Sequence, residues 1–286
     1  MDQTGIRAVF FDIDNTLLSF TGYVRETMRK GFEKFGLPPY TEDMYQVFER
    51  ENDRLWRLIE QGSLSFGRLK QIRWNNIFRE LGIDFDGPAF ERYIRDRLYE
   101  SALPEPGAVE ILDYLKGRYL LIAASNGPYG QQVHRLKTGG MYGYFSHVFI
   151  SEKVGAQKPS REFFDFCFRM LREHELPDIR PEETVMIGDS MTSDIAGGAA
   201  CSMHTILYLR GKAQNTPLYR DTANVQKRLA AGPVQEASAK ARQADGTAQG
   251  AGAQKRLTED TQRAGTGRGL SPDLCVRTLA DIRGIL

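Results

Sequence analysis

Five short apolar runs in this chain do not alternate: AVFF (8–11), YLLIAA (119–124), HVFI (147–150), TVMI (184–187) and HTILYL (204–209). A strand with one wet face is apolar only at every second position. An unbroken run therefore implies burial on both faces. Between the last four runs lie segments with helical spacing, such as Phe163, Phe164, Cys167, Phe168 and Leu171. Strands alternating with helices call for right-handed crossovers and a parallel sheet, so the expected class is α/β. Ligands of such sheets bind beyond the carboxyl ends of the strands. The first four runs end at or next to residues able to do chemistry: Asp12, Ser125, Ser151 and Asp189.

Two segments interrupt this rhythm. Residues 19–104 show helical stripes and no strand signal. One stripe is Met44, Val47, Phe48, Leu55, Leu58 and Ile59; a second is Trp74, Ile77, Phe78 and Leu81; a third is Tyr93, Ile94 and Leu98. Both tryptophans fall here, and a small all-helical unit is expected whose aromatic residues mainly pack its own core. Residues 213–270 are different. Only seven of them are Val, Ile, Leu, Met, Phe, Tyr or Trp, against twelve Ala, seven Gln and seven Gly. So little apolar surface does not offset ordering entropy, and a disordered, low-complexity insert is expected. Its nine Lys/Arg against five Asp/Glu are diluted rather than clustered. After it, PDLCVRTLADIRGIL reads as a last strand and helix that return to the sheet.

Composition narrows the function. A formal charge of +1 gives no general attraction to nucleic acid or membranes, and neither is expected as a partner. No apolar run reaches the roughly 20 residues that a membrane span needs. Three scattered cysteines, Cys167, Cys201 and Cys275, suit a reducing compartment better than a disulfide framework. The four histidines form no zinc pattern. The N-terminus has no signal-peptide layout, and a cytoplasmic protein is expected.

The first strand end, DIDNT, carries two carboxylates two residues apart. In extended chain they share a side, and Asn15 and Thr16 suit the turn that must follow. Like charges so placed repel unless a cation lies between them, and oxygen ligands favour Mg²⁺. Taken alone, the pattern fits a helix cap as well. The other strand ends add Gly188, which allows close backbone approach, then Asp189 and Ser190, and Asp194 five residues past Asp189. SNG supplies the Ser125 hydroxyl and the backbone N–H groups of Asn126 and Gly127, and AQKPS supplies Lys158. Both suit phosphate oxygens.

FDIDNT, ASNG, KP and GDSMTSD, in this order and spacing, resemble the four motifs of the haloacid dehalogenase superfamily. The likeness covers residues 7 to about 212 and resumes near 271. It implies a Rossmann-like core over 1–18, 105–212 and 271–286, with residues 19–104 as a helical cap. It also implies Mg²⁺-dependent phosphate chemistry through a phospho-aspartate. In that reading Asp12 is the nucleophile, Asp14 the general acid/base, and Lys158 the residue that stabilises the charge of the intermediate. Thr16, Ser125, Asn126, Gly127 and Lys158 contact the phosphate. Asp12, Asp189 and the Asp14 backbone carbonyl hold the metal, while Ser190 and Asp194 support them, Asp194 by orienting Lys158. The second aspartate favours phosphate esters over halides, because displacing halide needs no proton donor.

The stretch LWRLIEQGSLSFGRLKQIRWNNIFRELGID is similar to the pyrimidine 5′-nucleotidase branch. This implies a small phosphorylated substrate, a nucleotide. Phosphoglycolate phosphatases and β-phosphoglucomutases share the four motifs. A phospho-receiver module and a serine hydrolase built on GDSM are the readings from other classes. The chain departs from its relatives at Cys201-Ser202, where Ala-Gly is usual, and in the 213–270 insert.

Overall fold

The structure, a computed structural model, describes residues 5–210 and 272–286. The expected disordered insert therefore lies outside the described residues. In chain order the elements are β1 (Ala8–Phe11), α1 (Phe20–Lys34), α2 (Glu42–Glu60), α3 (Phe66–Leu81), α4 (Gly87–Glu100), α5 (Ala108–Leu115), β2 (Leu120–Ser125), α6 (Tyr129–Thr138), β3 (His147–Ile150), α7 (Ser151–Val154), α8 (Arg161–His174), β4 (Thr184–Gly188), α9 (Ala196–Ala200), β5 (His204–Tyr208) and β6 (Leu274–Val276). The strands form one parallel sheet in the order β3-β2-β1-β4-β5-β6. The α/β class is as expected; the second run shifts by one residue, the fourth extends by one and the fifth ends one earlier. The segment after β6 is a 3₁₀ helix, Leu279–Gly284, rather than an α-helix.

Burial on both faces explains the unbroken runs. Val9 and Phe11 of β1, Leu121 and Ala123 of β2, and Val185 and Ile187 of β4 face one core with α5. Ala8 and Phe10, Ile122 and Ala124, and Met186 face the other with α8. Both Phe10 and Phe11 are fully buried, each gaining about 2–3 kcal/mol from removal of apolar surface from water. The order in which strands are added reverses at β1, with β2 and β3 on one side and β4 to β6 on the other, and ligands of such sheets bind at this switch point.

Helices α1–α4 pack around their own aromatic centre, with Trp74 fully buried among Phe48, Phe78 and Phe90. Ser65 and Asp86 cap α3 and α4 by accepting from Arg68 N and Ala89 N. The α1 stripe escapes a reading of the sequence because Thr27 and Gly31 interrupt its buried face. Gly31 is required there, since a Cβ would lie 2.7 Å from the Phe90 ring. The two crossings to the sheet run side by side: Ser19 N donates to Leu103 O, and Glu105 N to Leu17 O. Among the described residues no helix is long and apolar enough to cross a membrane.

Candidate active site

Asp12 continues β1 by one residue, donating its N–H to Ile187 O at 2.9 Å. Its side chain therefore emerges at the switch point. Lys158, 1% exposed, donates to Asp12 Oδ1 at 2.7 Å, to Asp194 Oδ1 at 2.6 Å and to the Ala124 carbonyl at 2.7 Å. All three ammonium protons are thereby used, which fixes where the charge points. Burial alone would lower the Lys158 pKa, but Asp12 and Asp194 overcome this and raise it. Burial pushes the Asp12 carboxyl well above the usual range; Lys158 pulls it back, and Asp194 and Asp189 add to the rise.

Asp194 is fully committed, since Ser190 N donates to its second oxygen at 3.1 Å. Such an approach needs a glycine at the end of β4: a Cβ on Gly188 would stand 2.1 Å from Asp194 Oδ2. Carboxylate oxygens of Asp12, Asp189 and Asp194 lie within 4.8 Å of one another. Arg210 reaches Asp189 Oδ2 at 3.6 Å. Two buried acids and the half-buried Asp189, against Lys158 and Arg210, leave an excess of negative charge, and desolvation drives the Asp189 carboxyl up to about 7. Hard oxygen donors and unbalanced charge fit a divalent cation such as Mg²⁺.

The Asp14 side chain stands apart from this cluster. Arg135 Nη1 donates to its Oδ1 at 2.6 Å and Gln132 Nε2 to its Oδ2 at 2.8 Å. Only its backbone carbonyl remains for a metal. Asn15 takes a left-handed φ of 61° and caps α1 by accepting from Thr21 N, which turns the chain just past Asp14. The Thr16 hydroxyl is buried without a partner. Ser125 Oγ accepts from Gln132 Nε2 and from Gly127 N. The Asn126 amide is spent on the backbone N–H and carbonyl of Lys158. It positions the lysine, so any phosphate contact from Asn126 must come from its main chain.

The sequence reading missed Gln132 and Arg135. Both sit on α6, and Arg135 is fully buried, with Nε donating to the Ser101 carbonyl. Their signal was a helix following a strand with only Val133 and Leu136 as aliphatic residues. That pattern is shared with ordinary exposed helices.

A cavity of about 200 Å³ lies over these groups. Asp12, Asp14, Ser125, Lys158 and Asp189 form its floor, and Phe20, Asn52, Trp56 and Glu60 its opposite wall. It adjoins a cavity of about 310 Å³ along α2, and a cleft of about 1010 Å³ past Trp56 and Gly127.

Residues 6–202 match the model of the haloacid dehalogenase-like hydrolase family. The pyrimidine 5′-nucleotidase PynA of Streptococcus pneumoniae is 31% identical over 74% of this chain and 89% of its own. The pyrimidine 5′-nucleotidase YjjG of Escherichia coli is 29% identical over 69% and 83%. Among solved structures, the HAD-hydrolase YfnB of Bacillus subtilis bound to magnesium aligns with a TM-score of 0.65 and 31% identity. That alignment covers 74% of this chain and 90% of the other. The four strand-end motifs, the sheet they terminate and these relatives agree: the chain belongs to the haloacid dehalogenase-like hydrolase family.

Proposed function

We propose that this hydrolase is a phosphatase that cleaves nucleoside 5′-monophosphates, pyrimidine nucleotides foremost, with Mg²⁺ and through a phosphorylated Asp12. The observation that carries the reading is the Asp12–Lys158–Asp194 arrangement beside Asp189, beneath a cavity walled by Trp56. Asp12 Oδ1 is held by Lys158, and Oδ2 has no hydrogen-bond partner among the described residues. That oxygen attacks phosphorus, forming an O–P bond as the ester O–P bond breaks. Lys158 neutralises charge that would otherwise repel the phosphate dianion. Asp14, aimed by Arg135 and Gln132, gives its proton to the leaving alkoxide. It then takes one from the water that hydrolyses the acyl phosphate. Asp12, Asp189 and the Asp14 carbonyl would hold Mg²⁺, which supplies positive charge to the phosphoryl oxygens. Ser125 and backbone N–H groups bind the remaining phosphate oxygens.

The nucleoside part of the reading rests on Trp56, half-buried on the cavity wall while Trp74 is wholly internal, and on the two nucleotidase relatives. A stack on an indole contributes roughly 1–3 kcal/mol. Phosphate release from UMP, phosphoglycolate and glucose 6-phosphate, with Mg²⁺ and with EDTA, tests it. UMP is expected to have the highest kcat/KM, and EDTA to abolish turnover. Equal values for the three esters would leave a general phosphatase.

A further inference from the structure

Asn52 lies on α2 one turn before Trp56 and two turns before Glu60, on the face that walls the cavity. It is 9% exposed. Arg73 Nη1 donates to its Oδ1 at 2.8 Å, while Arg73 Nε and Nη2 grip Glu91 at 3.0 and 2.7 Å. Glu91 is itself buried. A guanidinium has donors only, so the amide cannot be reversed: oxygen faces Arg73 and nitrogen faces away. The Nδ2 group has no hydrogen-bond partner among the described residues, and Asn52 lines both the 200 Å³ and the 310 Å³ cavities. The site therefore offers a fixed N–H donor in a cavity that Trp56 also lines, with the carboxylates of Asp53 and Glu60 elsewhere on the same lining.

The phosphate end of the cavity is elsewhere. Glu60 hydrogen-bonds Thr192 and feels the charges of Asp194 and Lys158. Eight residues of helix separate it from Asn52, roughly 12 Å at 1.5 Å per residue. Asp12 lines the same cavity from the sheet side and Asn52 from α2, so a ligand whose phosphate sits on Asp12 carries its leaving group towards the α2 face. We propose that Asn52 reads the base: its amide N–H donates to a ring keto oxygen, selecting uracil- or thymine-type nucleotides over cytosine-type ones. The inference rests on the nucleotide reading above. A keto oxygen completes the donor. An exocyclic amine in the same place leaves two donors facing each other, and sites built to hydrogen-bond one group reject its unpaired analogue strongly. The buried Arg73–Glu91 pair holds the amide still, so substrate need not order it.

The test is kcat/KM for UMP, CMP and ribose 5-phosphate with the wild type, Asn52→Asp and Asn52→Ala. The wild type is expected to favour UMP over CMP by at least tenfold. Asn52→Asp still accepts from Arg73 but turns an acceptor oxygen to the cavity, and should lower that ratio tenfold or reverse it. Asn52→Ala should bring it near one. Each ratio is taken within one protein, so a general loss of rate or fold cancels. A wild-type ratio near one overturns the inference even if both variants fail to fold, and so does a ratio that the substitutions leave in place. If ribose 5-phosphate is turned over as well as UMP, the nucleotide reading falls first. If UMP is preferred to ribose 5-phosphate while the UMP to CMP ratio ignores Asn52, only the role of Asn52 falls.

Discussion

The floor of the cavity and its helical wall are held in place by different means. Asp12, Ser125 and Asp189 sit at or just past the ends of adjacent parallel strands, where sheet hydrogen bonds fix the main chain. Lys158 and Asp194 then lock onto Asp12 with every ammonium proton used. On the wall, Asn52, Trp56 and Glu60 share one face of α2, and the Arg73–Glu91 pair steadies only the first of them. The floor suits chemistry, which tolerates no displacement. The wall can change side chains without disturbing a strand, which suits choice of substrate.

Removing the nucleophile should do the most damage. Asp12→Asn keeps the acceptor for Lys158 and the ladder bond of Asp12 N, so the fold should persist. The carboxylate proposed both to attack phosphorus and to hold the metal is lost, and kcat is expected to drop by at least about 10³-fold. A variant that retained a tenth of wild-type turnover would move the chemistry off β1 and undo the contrast between floor and wall.

Arg135 tests where the floor ends. It stands on a helix, yet it is buried and bonded to Asp14. Arg135→Met should reduce kcat on UMP about ten- to hundredfold with KM little changed, because a misdirected acid fails in the transition state and not in binding. The loss should be smaller on p-nitrophenyl phosphate, whose leaving group needs little protonation. Removing one partner of a largely buried pair also costs about 3–5 kcal/mol of stability, so folding must be checked by thermal melting. Equal losses on both esters would make Arg135 a structural residue only.

Why the floor was legible and the wall was not follows from these residues. Carboxylates, a hydroxyl and a lysine placed at the ends of apolar strands have no packing role that would put them there. Gly188 beside Asp194 is required sterically, and its neighbourhood could be foreseen from GDS. By contrast Gln132, Arg135 and Asn52 are polar residues on helices, where a polar residue normally means solvent. Only the tertiary structure turns those faces inward. The separation of Trp56 from Trp74, one on a cavity and one in a core, likewise depends on packing that two similar helical stripes do not encode. Asp14 lies on the cavity, while its side chain's partners on α6, Gln132 and Arg135, are invisible in the sequence.

A third test concerns charge on the floor. Burial holds the Asp189 carboxyl up at about 7, with Arg210 pulling back and Asp194 and Asp14 adding. Between its unfolded value near 4 and about 7 the folded chain binds a proton that the unfolded chain has released. This group's contribution to stability therefore falls as pH rises through that window, and the charged form is a burden above it. A divalent cation relieves the burden but must displace the proton below pH 7. Apparent Mg²⁺ affinity, read from melting temperature against Mg²⁺ concentration, should weaken by up to about tenfold per pH unit below 7 and level off above 8. A flat profile from pH 5.5 to 8 would place the metal on other ligands.

The smallest effect separates stability of the floor's scaffold from its chemistry. The loop between α9 and β5 carries Ser202 at φ 63°, in the left-handed region that favours glycine. Ser202 N donates to Ala199 O, so the turn is held shut with a side chain in an unfavourable conformation. Such strain costs about 1–2 kcal/mol, and a glycine gives back roughly 0.5–1 kcal/mol through extra freedom in the unfolded chain. Ser202→Gly should therefore stabilise by about 0.5–1 kcal/mol, a melting temperature higher by roughly 1–4 °C for a domain of this size. Ser202 contacts none of the floor residues in the hydrogen bonds described above; the end of β5 reaches the site through Arg210, which lies against Asp189. kcat and KM on UMP should stay at wild-type values. A stabilised variant with altered kcat would mean that the turn transmits to Asp189 along β4 or through Arg210 after β5, and that the floor is less rigid than its hydrogen bonds imply.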